Sequence, residues 1–552
     1  MEKDLSRRNF IKGSLVAGVG TSALFLAPQT QAFAQGAEDR LVVDSEGVAW
    51  DQEYDIVIVG SGYAGVAAAT DVGRAGLSAV ILEANNVAGG NSIMCGGGLQ
   101  AGGGNSIQVA AGIEDTPERF FNDMFQYGYR RAERPLMQKY VDNCTEDVVN
   151  WLMDIGMEFS PNVGAQEGHS INVQLMPALS DRYPGAGGIS HWNVINDEAI
   201  NQGVETLLEH EATKLVQRAS DGAILGVQVN AKGTIQYFKA KKAVILASGG
   251  FKSNTAMLRN WEPRIDSDIS AGGEPYLTQC QAIMSEAAVA CGAAQRDMSF
   301  VCEYRFKWGT RYYQHWDPVD ISNPPVLTTG LAVGDFTNLM IVNGSGERFC
   351  NEEEAGEYPQ DPFYDAFLTL QERPRRVWVI ADATIAEANR WNLDAIAAPD
   401  ESSPPCLAPD YVAIADTIEE LAGKMGIDAA ALKAEVDKYN GFVDAGEDED
   451  FGKEGLEMKL ETGPFYALRV TFFAHDQQAG LTVNTKAQVV SRASLFGESK
   501  AIDDRPIIPH LYACGESAGG YYGQARGHGK IGVCMYWGRV AGREAAKESN
   551  VD

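Results

Sequence analysis

The sequence predicts an α/β protein. A Rossmann-like nucleotide-binding domain carries a small β-meander, and a second, α+β domain is inserted in it. Three observations point there: a strand–glycine turn–helix–strand unit over 54–83, a buried strand at 243–247 that returns to it, and a late strand at 511–516 ending in another glycine turn. Alternation of strands with helical segments favours a parallel sheet covered on both faces.

The first unit reads YDIVIVGSGYAGVAAATDVGRAGLSAVILE. Ile56, Val57, Ile58 and Val59 form the short apolar run of a strand buried on both faces. Gly60, Gly62 and Gly65 then supply G-x-G-x-x-G. The first glycine permits the tight turn, the second lets backbone approach a pyrophosphate, and the third lets helix pack on strand. Helix amides and the helix dipole face the phosphates. Ala64, Ala67, Ala68 and Ala69 keep that helix thin. Residues 79–82 form the next strand, and Glu83 at its end can accept ribose hydroxyls, a charge-assisted bond worth about 1.5–3 kcal/mol. The acid at this spacing makes the motif specific for a nucleotide.

The formal charge of −30 over 552 residues leaves no basic face for nucleic acid or an anionic membrane surface. Ser6-Arg7-Arg8-Asn9-Phe10-Ile11-Lys12, an apolar stretch to Ala27 and Ala32-Phe33-Ala34 together resemble a twin-arginine export signal with its cleavage site. The stretch is too short and glycine-rich for a stable membrane span. The expected domains are a signal over 1–34, a nucleotide-binding domain over 50–299 and 471–552, and the inserted domain over 300–470. The mature protein is expected in the periplasm or on the outer face of the cytoplasmic membrane. The nine cysteines include no C-x-x-C and no haem-attachment motif, and no metal site is expected. Cys280, Cys291 and Cys302 recur every eleven residues, which could align them on one helical face. Buried thiols are the plainer reading, with a cluster of scattered cysteines as the alternative.

Further along, the glycine-rich segment 84–105 suits close approach to a flat, phosphate-bearing molecule. Helices are expected over 116–157 and from about Asp197 to Glu209. The meander has strands at 213–216, 224–230 and 235–239, separate from the buried strand at 243–247. The segment 418–439 is mostly helical, the acidic stretch 443–453 a solvated loop, and 531–548 a final helix.

Taken in order, the nucleotide fingerprint, ASGGF at 247–251, VNGSGERFCNE at 342–352, and CGESAGG with GQARGHGKIG near the end resemble the flavoprotein family of soluble fumarate reductases, urocanate reductases and 3-ketosteroid dehydrogenases. The likeness covers about 54–545. It implies FAD, and a mobile cap over the isoalloxazine ring formed by the inserted domain. The FAD contacts it implies begin with Gly60, Gly62, Ala64, Gly65, Glu83 and Ala84, then Gly90, Asn91, Ser92, Gly97 and Gly98. Val216, Ala247, Ser248 and Gly249 follow, and the tail adds Gly515, Glu516, Gly529, Ile531 and Gly532. The turn 527–532 aims a helix N-terminus at flavin N1 and C2=O, where the reduced ring is negative. Covalent members of the family place a histidine where this chain has Asn91, so the expectation is non-covalent FAD.

Arg526 matches the family's carboxylate-binding arginine, and a guanidinium there binds a carboxylate or carbonyl bidentately. His475, followed by Asp476, falls near the substrate-binding histidine. The family's proton-donating arginine should lie eight residues beyond Arg348, but Gly356 stands there, and Tyr358 is the nearby candidate acid. Only Arg526, with Arg182 or Arg305 in reserve, supplies cations for a dicarboxylate. The aromatic run 300–316 would suit a larger, flatter substrate, with Tyr521 and Tyr522 as possible contributors. The ketosteroid pattern also fails, since the tyrosine before its last glycine turn is missing from 525–529. The resulting expectation is an exported enzyme that reduces an activated C=C bond, an enoate or enone larger than fumarate. Electrons come from an external cytochrome or membrane quinol-oxidising partner. The alternatives are the reverse desaturation of a ketosteroid type and a non-catalytic flavin carrier.

Overall fold

A computed structural model of the chain describes residues 41–551 apart from 167, 179–186, 253, 266–268, 271–281, 299–301, 311–329, 335, 355–361, 404, 496–499 and 524–529. The first sheet uses β1 (Val42–Asp44), β2 (Gln52–Val59), β3 (Ala79–Leu82), β4 (Glu205–Leu207), β5 (His210–Gln217), β6 (Ile224–Ala231) and β7 (Thr234–Leu246). The second takes β8 (Ile269–Ser270), β9 (Cys302–Trp308), β10 (Met340–Val342), β11 (Trp378–Asp382), β12 (Val412–Ala415) and β13 (Phe465–Gln477). The chain then returns to the first with β14 (Gln488–Val490) and β15 (Ile507–Ala513).

In the first sheet the order is β1-β5-β6-β7-β2-β3-β4, and β15 pairs with β7 and with β14. β3, β2, β7 and β15 run parallel, with Val57 facing Val80 and Val244, and Val244 facing Leu511. These are the three apolar runs that the sequence singles out, and Ile56, Val57, Ile58, Val244, Ile245 and Leu511 are fully buried. A residue buried on both faces of a sheet has no polar alternate, which is why the runs read as continuous.

Two expectations change here. The meander strand and the return strand are one strand, β7. Its first half pairs antiparallel with β6 and its second half parallel with β2, across a bulge between Ala240 and Ala243. The bulge re-aims the strand, so one element serves two neighbours. The helix expected from Asp197 to Glu209 instead spans Gly188–Asn201. Gly203, at φ +80°, ends it, and β4 then extends the sheet beside β3.

Helix α1 (Tyr63–Arg74) follows the glycine turn, and the last helix, α2 (Lys530–Ala546), lies across it. Gly538 and Gly542 face the backbone of Ala64 and Ala68: a Cβ on either would come within 2.2 and 2.4 Å of those carbonyl oxygens. Arg539 donates to Asp71 at 2.8 Å and to the Asp147 carbonyl at 2.8 Å, locking the same crossing.

The second sheet has its own core, in which Phe306 and Trp308 pack with Phe336 and Phe363. These two members of the 300–316 aromatic run therefore build core. Tyr312, Tyr313 and Trp316 lie outside the described residues. The acidic stretch after 443 is not simply solvated. Asp448 is buried because the buried Arg348 guanidinium needs anions: it meets Glu352 at 2.7 Å and Asp448 at 2.8 Å, and the buried Lys453 faces Glu352 at 3.7 Å. The eleven-residue cysteine spacing is not helical, since Cys291 caps a short helix and Cys302 opens β9. Among the described residues no group of side chains forms a metal site, and no helix is long and apolar enough to cross a membrane.

Candidate active site

Where β2, β3, β7 and β15 end, the chain leaves a cavity of about 490 Å³. Segments distant in sequence line it: Val59–Ala64, Leu82–Asn85, Gly90–Ser92, Cys95–Gly98, Ala247–Gly249, His475–Asp476, Gly515–Glu516 and Lys530–Ile531. A pocket beyond the carboxyl ends of parallel strands is where α/β sheets bind ligands.

The glycine turn shapes one wall. Gly60 has φ +99°, and a Cβ there would lie 2.4 Å from the Ala247 carbonyl oxygen. Gly62 starts α1 with no side-chain cap of its own; the first helical amide, Tyr63 N, donates to Ser92 Oγ at 2.9 Å, and the amides of Ala64 and Gly65 follow it in the first turn, where an anion is favoured. Glu83 extends from the end of β3. One carboxylate oxygen accepts from the Ser61 hydroxyl at 2.5 Å, and the other from the Asn85 amide and side chain at 3.0 and 2.9 Å. Ser61 N adds a fourth, longer bond at 3.3 Å, so the carboxylate is fully engaged and a ribose hydroxyl there would share an oxygen with one of these donors. Ser61 Oγ also accepts from Gly89 N at 2.8 Å, tying the glycine-rich loop to the turn. His191 props the same loop from behind: its Nε2 lies 2.9 Å from the Gly97 carbonyl, and burial pushes the ring down to about 4. The Ser248 hydroxyl is buried with no partner among the described residues.

A second group of charged side chains lines the cavity. Lys252 pairs with Glu516 at 3.4 Å, and Lys530 lies 3.9 Å from Glu516 and 3.8 Å from Asp476. Lys530 also donates to the Gln477 carbonyl at 2.8 Å. His475 Nδ1 lies 3.3 Å from Asp476. Burial alone would raise the Asp476 carboxyl. The His475 ring, Lys530 and Lys252 outweigh it and hold the group well below the usual carboxylate range.

Gly60, Gly62, Ala64, Glu83, Ala84, Gly90, Asn91, Ser92, Gly97 and Gly98 from the front of the chain line the cavity. Ala247, Ser248, Gly249, His475, Gly515, Glu516 and Ile531 from its middle and tail do so as well. Gly65, Val216 and Gly532 are not among the lining residues. A Cβ on Gly65 would sit 1.9 Å from the Gly60 carbonyl, and one on Gly532 would sit 2.5 Å from the Tyr140 hydroxyl, so both glycines serve packing. Val216 is fully buried within β5. Tyr521 and Tyr522 belong to the first core, Tyr521 stacked on Trp537 at 5.0 Å. Tyr358, Arg526, Gly529 and Arg182 lie outside the described residues, as does the 527–529 part of the expected helix-opening turn. Sequence reasoning missed Lys252, Lys530, Ser61 and His191. Lys252 directly follows ASGGF, and Lys530, the first residue of α2, stands between Gly529 and Ile531 in the sequence. A lone charge bordering a glycine turn was the available signal.

These features suit a dinucleotide: capless helix amides for phosphate, a fixed carboxylate for ribose, and an unpartnered buried hydroxyl. Residues 55–532 match the FAD binding domain family, and the chain belongs to it. It is therefore an FAD-dependent oxidoreductase by family. Among its relatives, the urocanate reductase of Eggerthella lenta is 30% identical, covering 90% of this chain and 75% of that one. The digoxin reductase of the same organism is 26% identical, covering 99% and 98%. A solved flavocytochrome c3 fumarate reductase in an open conformation shares the fold, with a TM-score of 0.71 at 24% identity over 90% of this chain and 79% of that one.

Proposed function

We propose that this protein is an exported reductase of activated C=C bonds, an enoate or enone larger than fumarate, with FAD held non-covalently. The observation that carries the reading is one cavity shared by the glycine turn, Glu83, the Ala247–Gly249 turn, the start of α2 and the His475–Asp476 pair. The reductase names of its relatives support the direction, and that of the digoxin reductase supports a substrate larger than a dicarboxylate.

FAD, when bound, supplies a hydride from its N5 to one carbon of the double bond. The chain's residues do the rest. The amides of α1 hold the pyrophosphate and Glu83 the ribose. Arg526 anchors the carbonyl that polarises the double bond. Tyr358 or His475 gives a proton to the neighbouring carbon, a role worth about 10²–10⁴-fold in rate. The 300–470 domain caps the site. Electrons arrive from a cytochrome or a membrane quinol-oxidising partner.

The test is anaerobic. Enzyme reduced with dithionite is mixed with unsaturated acids and ketones, and the oxidised flavin spectrum should return with a stoichiometric saturated product. A spectrum that stays reduced with every acceptor, while oxidised enzyme is bleached by saturated ketones, reverses the direction. Export is tested separately: changing Arg7 and Arg8 to Lys should strand the precursor in the cytoplasm, and unimpaired export of that variant contradicts the twin-arginine reading.

A further inference from the structure

Gln100 is a cavity residue whose side chain the rest of the fold leaves unsatisfied. It is 1% exposed and lines the cavity, yet its side-chain carbonyl oxygen is buried with no partner among the described residues. A buried amide without a partner is costly, so its presence calls for a group that meets it. The backbone around it is well held. Gln100 stands opposite Gln174 in a short antiparallel ladder, and its backbone carbonyl accepts from the Tyr140 hydroxyl at 2.9 Å. The Gln174 side-chain amide donates to Gln166 at 2.9 Å rather than to Gln100. The cavity is where a ligand can reach the Gln100 amide.

The order of the sheet decides which half of the cofactor passes there. β3, β2, β7 and β15 lie side by side in that order. Glu83, past β3, and Gly515, past β15, therefore stand on opposite sides of the glycine turn that ends β2. Pyrophosphate on that turn and ribose beside Glu83 set the adenosine half toward β3 and leave the β15 side for the flavin ring. The start of α2 lies on that side, with Lys530 3.9 Å from Glu516. Gln100 packs against it: a Cβ on Gly532 would come within 3.4 Å of the Gln100 backbone carbonyl oxygen.

We infer that Gln100 binds the pyrimidine edge of the FAD ring through its side-chain amide. That edge presents a carbonyl, an N–H and a second carbonyl in a row, whereas the dimethylbenzene end of the ring has no hydrogen-bonding group. An amide carries both an acceptor and donors, so it meets the edge in either of its two orientations. The inference rests on FAD alone and goes beyond the C=C reductase reading, since no substrate enters it.

The experiment uses the holoenzyme and two variants. Gln100→Met keeps the length of the side chain and removes its hydrogen-bonding atoms, and Gln100→Glu keeps the shape and adds a charge. Release of FAD on dilution is followed by its fluorescence, and the flavin midpoint potential by equilibration with a reference dye. Gln100→Met should bind FAD roughly tenfold more weakly. Gln100→Glu should lower the potential, because a carboxylate beside the pyrimidine edge opposes the negative charge of the reduced ring. Unchanged FAD release from Gln100→Met overturns the inference, the amide then being met by water alone. Weaker binding with a potential unmoved in both variants is a packing effect and overturns it too. Should Gln100→Met not fold, the potential of Gln100→Glu decides. Neither readout involves a C=C acceptor, so failure here leaves the reductase reading standing.

Discussion

His191 shows how a side chain away from the chemistry shapes the site. It is fully buried, it touches the Gly97 carbonyl, and its ring is pushed down to about 4 from an ordinary 6.5. Between those pH values the unfolded ring takes up a proton that the folded one refuses. The stability it contributes is therefore complete above about pH 6.5, falls as pH is lowered, and is gone below about pH 4. The change is on the order of 3 kcal/mol. Urea unfolding at pH 7 and pH 4.5 should show a smaller pH effect in His191→Gln than in wild type. An equal effect in both would contradict the buried neutral ring. At this scale the sequence was partly legible. Gly60, Gly62 and Glu83 are readable because a motif fixes their spacing. His191 and Ser61 are not, because their partners, Gly97 and Glu83, are set by the tertiary fold.

Among the elements, the crossing of α1 and α2 fixes the first cavity wall to the last. It depends on Gly538 and Gly542 meeting Ala64 and Ala68 with no side chain between. Glycine inside a helix ordinarily costs about 1 kcal/mol relative to alanine. Gly542→Ala should nonetheless destabilise, by about 1–3 kcal/mol, because the new methyl must displace backbone and overpacking outweighs propensity. Gly441, in the helix Ala429–Ala445, has nothing within 4 Å of its Cβ position, so Gly441→Ala should leave stability unchanged or raise it. Denaturant midpoints for the two variants check this, and equal shifts in one direction would refute the close crossing. The small residues of α1 were legible as a thin helix, but not what they meet, since Gly538 lies more than 450 residues on. The bulged β7 was misread as two strands because its pairing partner changes along its length, and apolar alternation carries no trace of that.

At the level of the whole molecule, the two largest sheets and the two largest cores among the described residues are built from interrupted stretches of chain. Both the β2 residues Ile56–Val59 and the α2 residues Val540, Ala541 and Ala545 enter the first core. That return of the tail was legible, because buried strands followed by glycine turns recur at 243–250 and 511–516. The ion cluster around Arg348 was not, because an acidic stretch reads as solvated until the cation that buries it is known. A cofactor gripped by distant segments adds stability to the folded state alone, so flavin loss and unfolding should be coupled. The most direct test of the account is the flavin content of the purified protein before and after acid precipitation. About one FAD per chain, released entirely into the supernatant, is the predicted result. Protein that is colourless and stays colourless with added FAD, or flavin that remains with the pellet, would contradict it.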